Sequence, residues 1–133
     1  RRLHDLLVDG ARSGTPLQVA QIVKGTLTAQ GPITKVFTVA GNPANGASVD
    51  PNTCMQNGEG ADILCGTFRD PEFDPSQPAY YYVRVLENPS CRWNALLCNS
   101  LPVAQRPAAC SDPDAPKTIQ ERAWASPIYY IPD

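Results

Sequence analysis

Three acids at alternate positions, Asp70, Glu72 and Asp74 in the segment DPEFDPSQP, form the group in this sequence best spaced for chemistry. Carboxylates so arranged can be aimed at one hard cation such as calcium. The prolines Pro71 and Pro75 supply a competing account, a shaped turn whose acids accept hydrogen bonds from backbone N–H groups. No glycine lies in the segment to fold it round an ion, and a calcium site needs about six to eight oxygens. The three acids are therefore weak metal candidates, and no cofactor is expected. Paired carboxylates also serve as acid and base in glycoside hydrolysis, but nothing else in the sequence suggests a cleft for a sugar substrate.

Nucleophilic catalysis lacks its parts. His4 is the only histidine, and it stands beside Asp5. It reads as an exposed residue rather than a metal ligand or base, because no second histidine or cysteine motif supports it. A Ser/His/Asp set cannot be assembled, and a cysteine nucleophile would need the same His4 as its base. Glycine loops of the phosphate-binding kind are absent.

The five cysteines, Cys54, Cys65, Cys91, Cys98 and Cys110, form no CxxC pair and have no histidine partners for zinc. Disulfides in an oxidising compartment are the better reading, which places the chain in a periplasm or outside the cell. Cys54 with Cys65 is the most local pairing. Cys91–Cys98 and Cys98–Cys110 both remain open, and the odd number leaves one thiol over.

Aromatic and charged residues near the end of the chain suggest contacts. Tyr80, Tyr81, Tyr82, Tyr129 and Tyr130 have the rings to stack on a ligand, although packing in a core or interface is the commoner fate of strand tyrosines. Glu121, Arg122 and Trp124 in QERAW, with Arg84, Arg92 and Trp93, are candidates for an interface with another domain.

Composition bounds the architecture that must carry these residues. In 133 residues there are 14 prolines, about twice the usual share of 5%. Only 18% of residues are charged, against the usual 25% or so. Proline is excluded from helix interiors and central ladder positions, so short strands joined by shaped loops are expected. The net charge of −2 and the lack of a basic run argue against nucleic acid as a partner. No apolar run approaches the roughly 20 residues of a membrane helix, and no signal-peptide core stands at the start, so membrane insertion is not expected. A first residue other than methionine points to a processed product or an excised piece.

Leu3, Leu6 and Leu7 at helical spacing, with Gly10 and Gly14 as stops, predict a short amphipathic helix over Arg2 to Ala11. Residues 1–16 then read as a connector from an upstream domain and residues 17–133 as the domain proper. Leu17 to Thr28 alternates as a half-buried strand. Ala29 to Pro32 reads as a four-residue loop, and Ile33 to Ala40 returns as a second strand of a hairpin. A turn-rich loop over Gly41 to Gly60 precedes Asp62 to Arg69, apolar enough on both faces to read as a central strand. Ala79 to Glu87 (AYYYVRVLE) is the most regular strand, with Tyr80, Tyr82, Arg84 and Leu86 on one side and Tyr81, Val83 and Val85 on the other. Asn88 to Ser126 has no sustained period and is too long for an unsupported loop. A helical turn near Asn94 to Cys98, disulfides and the packing of Trp93 and Leu96 should order it. Thr118 to Ile131 ends in one or two short strands broken at Pro127.

The segments QIVKGTLTAQG, KVFTVA, FRDPEFDPSQPAYYYVRVLENPSCRW and TIQERAWASPIYY, in this order and spacing, resemble the C-terminal region of the domain-of-unknown-function family 3604. The resemblance runs from Thr15 to Tyr130. It implies a parent protein similar to PHP-type metal-dependent hydrolases, whose expected ligands sit in an N-terminal GDLHxHT-type motif. RRLHDLL around His4 lacks the second histidine and the flanking glycine and threonine, so no catalytic residue is carried over.

These readings converge on an antiparallel β-sandwich-like domain of about five to seven strands with a short N-terminal helix and a long disulfide-pinned loop. The expected role is a non-catalytic C-terminal module that packs on or shapes an upstream catalytic domain of the same polypeptide. The alternative is a sandwich that binds carbohydrate or peptide through its tyrosines.

Overall fold

The computed structural model describes the backbone of residues 3–9 and the whole of residues 14–132. Eleven strands appear in chain order among them. β1 is Leu3–Asp9, β2 Leu17–Thr28, β3 Gly31–Gly41, β4 Ser48–Val49, β5 Gln56–Asn57, β6 Ile63–Phe68, β7 Ala79–Glu87 and β8 Ser90–Cys91; after the helix α1 (Trp93–Ser100) come β9 Thr118–Ile119, β10 Arg122–Trp124 and β11 Ile128–Tyr130. Every strand pairing is antiparallel, so the chain is mainly β.

The centre is a five-stranded sheet in the order β10-β7-β2-β3, with β11 joining the other half of β7. Alternating β-branched and aromatic residues make β2, β3 and β7 strands in their own right. Between β2 and β3 the expected four-residue loop is a two-residue turn, because Thr28 already pairs with Gly31 and Leu27 with Pro32. Pro32 is tolerated in this ladder because β3 lies at the edge of the sheet. The pairing of β2 with β7 shifts register between Leu17 and Val19. A shift of one residue exchanges the faces of a strand. Leu17 thereby joins Ala20, Val85 and Leu64 in one buried cluster, backed by Ala40, Ala61 and Val83.

Leu64 reaches that cluster from β6, which lies across the sheet. Its small and aromatic residues point inward: Gly66 sits against Val39, where a Cβ would come within 2.9 Å of Val39 Cγ1, and Phe68 packs on Phe37 with ring centres 5.1 Å apart. Ile63, Cys65 and Thr67 point to solvent. The expectation of a central strand is thus corrected: among the described residues β6 pairs only with β1. The layers are sandwich-like, a narrow ribbon over a wider sheet.

The N-terminal helix is also corrected, since Leu3–Asp9 is a strand with Leu7 opposite Cys65 and Val8 opposite Leu64. A helix this short is marginal by itself, whereas pairing with β6 at Leu3 and over Leu6–Asp9 gives one edge of the segment backbone partners. Gly10 and the neighbouring ends of the expected helix lie outside the described residues, as does the side chain of His4.

Two disulfides and an amide network hold the loops. Cys54 bonds Cys91, and Cys98 bonds Cys110. The expected Cys54–Cys65 bridge is not formed, because Cys65 faces solvent on β6 while Cys54 meets the end of β8. Asn45 Nδ2 donates to Asn88 Oδ1 and to the Glu59 carbonyl, and Asn88 Nδ2 donates to the same carbonyl. These bonds seat the 41–60 loop on the end of the sheet. In the segment after β7, α1 buries Ala95 and is tied by Cys98. Trp93 and Leu96, expected to pack, are instead exposed. No helix among the described residues is long and apolar enough to cross a membrane.

Candidate binding site

The acidic loop is seated by a lysine from the middle of the sheet. Lys24, a buried residue of β2, lies opposite Tyr81 on β7, so both side chains rise from one face. Lys24 Nζ donates to Asp70 Oδ2 at 2.6 Å and to the Glu72 carbonyl at 2.8 Å. The Tyr81 hydroxyl donates to the same Asp70 oxygen at 2.7 Å, and Glu72 N–H donates to Asp70 Oδ1. The ammonium also stands 5.9 Å from the centre of the Tyr81 ring.

Burial by itself would raise the Asp70 pKa, but the hydrogen bonds from Lys24, Tyr81 and Glu72 N–H outweigh it and hold the carboxyl below its ordinary value. The Tyr81 phenol is pushed well above its usual range by burial and then by Asp70. Asp70 is therefore an anion and Tyr81 a neutral donor at any physiological pH. The two groups hold the loop on the sheet through the hydrogen bond between them.

The other two acids point elsewhere. Glu72 pairs with Lys35 on β3. Asp74 accepts from Ser76 N–H and Oγ, which keep its carboxyl below the ordinary range. The three weak metal candidates thus have three separate sets of partners, and among the described residues no three His, Cys, Asp or Glu side chains converge on a point. The turn account of the segment holds, with Asp70 and Asp74 each capping the backbone two residues on.

Between this loop and β11 lies a cleft of about 560 Å³. Arg69, Asp70, Pro71 and Tyr81 line it together with the apolar side chains of Phe73, Ile128 and Tyr130. Phe73 meets Tyr130 edge to face at 4.9 Å. The Tyr130 hydroxyl donates to the Pro75 carbonyl and joins the two walls.

The opposite face of the sheet carries a second group of rings. Register places Val36, Leu27, Tyr80, Tyr129 and Trp124 on it, through the pairs Val23–Val36, Gly25–Tyr80, Tyr80–Tyr129 and Arg84–Trp124. Leu27 is 70%, Tyr129 70% and Trp124 61% exposed. Tyr80 stacks parallel to Tyr82. Arg84 is held beside them by two hydrogen bonds to Gln21 Oε1.

Of the interface candidates, Arg84, Arg122 and Trp124 come together where β7 meets β10. Glu121 is exposed next to that strand, and its charge acts on Glu87. Arg92 and Trp93 begin α1 and belong to a different part of the surface. Leu27, Val36 and Arg69 were not singled out by sequence. The alternation of β2 and β3 shows which residues share a face, but nothing in it tells which face another layer leaves open.

A family model for a protein of unknown function, DUF3604, matches residues 5–132. No curated protein and no solved structure matches the chain. With all but its outermost residues covered by that match, the chain belongs to the DUF3604 family.

Proposed function

We propose that this domain is a non-catalytic β-module of a larger metal-dependent hydrolase, placed C-terminal to the catalytic domain and packed on it through the open face of the five-stranded sheet. The observation that carries this reading is the grouping of Leu27, Val36, Tyr80, Tyr129 and Trp124 on one face of a single sheet. Large apolar residues scattered singly are ordinary on a surface, whereas a contiguous group marks an interaction site. Aromatic side chains with an adjacent arginine are the composition of an interface centre.

The polar groups of the other face support a structural role. Lys24, Asp70 and Tyr81 satisfy one another, and Lys35 satisfies Glu72, so no base or nucleophile is poised there. The two disulfides suit an oxidising compartment, and the proposal places the parent protein in a periplasm or outside the cell.

The test is association between this domain and the separately produced catalytic domain, followed by calorimetry. Binding should be abolished by Leu27→Glu combined with Trp124→Glu, with the melting temperature of the domain unchanged. Turnover of generic phosphoester or ester substrates by the domain alone, at the rate of the intact protein, would overturn the proposal.

A further inference from the structure

Among the described residues, the cleft between the acidic loop and β11 contains one charge without an ionic partner. Asp70 is neutralised by Lys24 and has both oxygens in hydrogen bonds. Arg69 is exposed and forms no ion pair among the described residues. Phe73, Ile128 and Tyr130 line the same cleft. A volume of about 560 Å³ falls within the range of roughly 300–1,000 Å³ typical of small-molecule sites.

From this arrangement we infer that the cleft binds a small organic carboxylate with a flat apolar body, the carboxylate on the Arg69 guanidinium and the body against Phe73, Ile128 and Tyr130. A guanidinium offers a planar fork that matches a carboxylate with two parallel hydrogen bonds. A phosphate dianion fits less well, because among the described residues Arg69 is the one cation of the cleft without an ion pair, and the Glu72 carboxylate lies on the same loop. A neutral sugar fits less well too. Its hydroxyls would need several free polar partners, and the Tyr81 hydroxyl and Asp70 are already committed to each other and to Lys24.

The site is built before any ligand arrives. Lys24 fixes the loop at Asp70 and at the Glu72 carbonyl, while Tyr130 fixes it at Pro75. A ligand therefore meets walls already ordered, which removes one of the usual entropic costs of binding. The same chemistry is presented by a free aromatic acid and by the C-terminal residue of a peptide ending in phenylalanine. This inference does not depend on the docking proposal, since Arg69, Phe73 and Ile128, on which the ligand would rest, are not residues of the proposed docking face.

The test titrates the chain with phenylacetate, phenylacetamide, a tripeptide ending in phenylalanine with a free or an amidated terminus, and glucuronate, read by backbone amide chemical shifts. Saturable shifts at Arg69, Phe73 and Tyr130 are expected with the free acids at millimolar concentration. The amides should bind roughly tenfold more weakly, the value of one charged hydrogen-bonding pair. Arg69→Gln should remove the difference between acid and amide without lowering the melting temperature. Tighter binding of the acid-terminated peptide than of phenylacetate would assign the peptide terminus as the source, and the reverse order a free acid. Equal binding of acid and amide, preference for glucuronate, or no saturation by either acid would overturn the inference.

Discussion

The ring of Tyr80 crosses the backbone of Gly25, its partner on β2, so closely that a Cβ at position 25 would lie 2.0 Å from Tyr80 Cζ. This contact explains a glycine in the middle of the central strand, where the residue otherwise weakens the ladder. Gly25→Ala must push the ring off the sheet and away from its stack on Tyr82. A cost of about 1 kcal/mol is expected in urea unfolding, the lower end of the range for overpacking, because the ring is at the surface and able to swing. With Tyr80→Ala already in place the same change should stabilise by about 0.5 kcal/mol, as an alanine loses less backbone entropy than a glycine. The reversal of sign in this double-mutant cycle is the measurement that checks the contact.

Asp70 anchors the acidic loop to a lysine that is itself buried. Asp70→Asn should destabilise by about 2 to 3 kcal/mol at neutral pH, since it leaves the Lys24 charge buried and unpaired. The pH dependence follows from the lowered pKa of Asp70 in the folded state. Its contribution is complete above the ordinary carboxyl value, near pH 4, and is lost as pH falls through the lower folded value. The difference in stability between the wild type and Asp70→Asn should therefore shrink on acidification. Lys24→Met combined with Asp70→Asn should recover most of the loss, because it removes the stranded charge and retains an apolar stem of similar volume.

The parts of the fold legible in the sequence are those whose pattern is local. β2, β3 and β7 follow from alternation and β-branched content, and the end of the chain breaks at Pro127 as its chemistry requires. β1 was not legible because Leu3, Leu6 and Leu7 fit a helical spacing, and the strand that claims them is β6, some distance along the chain. Cys54 behaved similarly, passing over its near neighbour for Cys91 because pleat and loop decide where each thiol points. In the candidate site the turn was readable from Asp70, Asp74 and two prolines. The partner that seats it, Lys24, is separated from Asp70 by 46 positions and is identified only by the sheet that brings β2 beneath the loop.

Glu87, at the end of β7, carries the opposite kind of titration. Burial and then the charge of Glu121 raise its pKa in the folded state. The folded chain holds this proton more tightly than the unfolded one, so the group favours folding when protonated and opposes it increasingly as pH rises through the folded value. Glu87→Gln should stabilise the chain at neutral pH by less than about 1 kcal/mol, and the gain should vanish below about pH 4, where both variants are neutral. Glu121→Gln removes only the like charge and should give a smaller gain. Thermal unfolding of the three proteins across that pH range checks both the sign and the order.

The two disulfides should differ in value because they close loops of different length. Cys54–Cys91 spans 37 positions and Cys98–Cys110 spans 12. Loop-closure entropy in the unfolded chain gives about 4 kcal/mol for the longer and about 3 kcal/mol for the shorter. The longer bridge also joins the 41–60 loop to β8 and the helical segment, where Asn99 Nδ2 donates to the Pro51 carbonyl as well, whereas the shorter one lies within that segment. The paired replacement Cys54→Ser with Cys91→Ser should lower the melting temperature more than Cys98→Ser with Cys110→Ser, and it should expose the 41–60 loop to proteolysis while the central sheet persists. In the oxidised wild type one thiol should react with an aromatic disulfide reagent without denaturant, because Cys65 is both unbridged and exposed on β6. A second reactive thiol, or equal losses from the two double replacements, would contradict the assignment of the bridges to these loops.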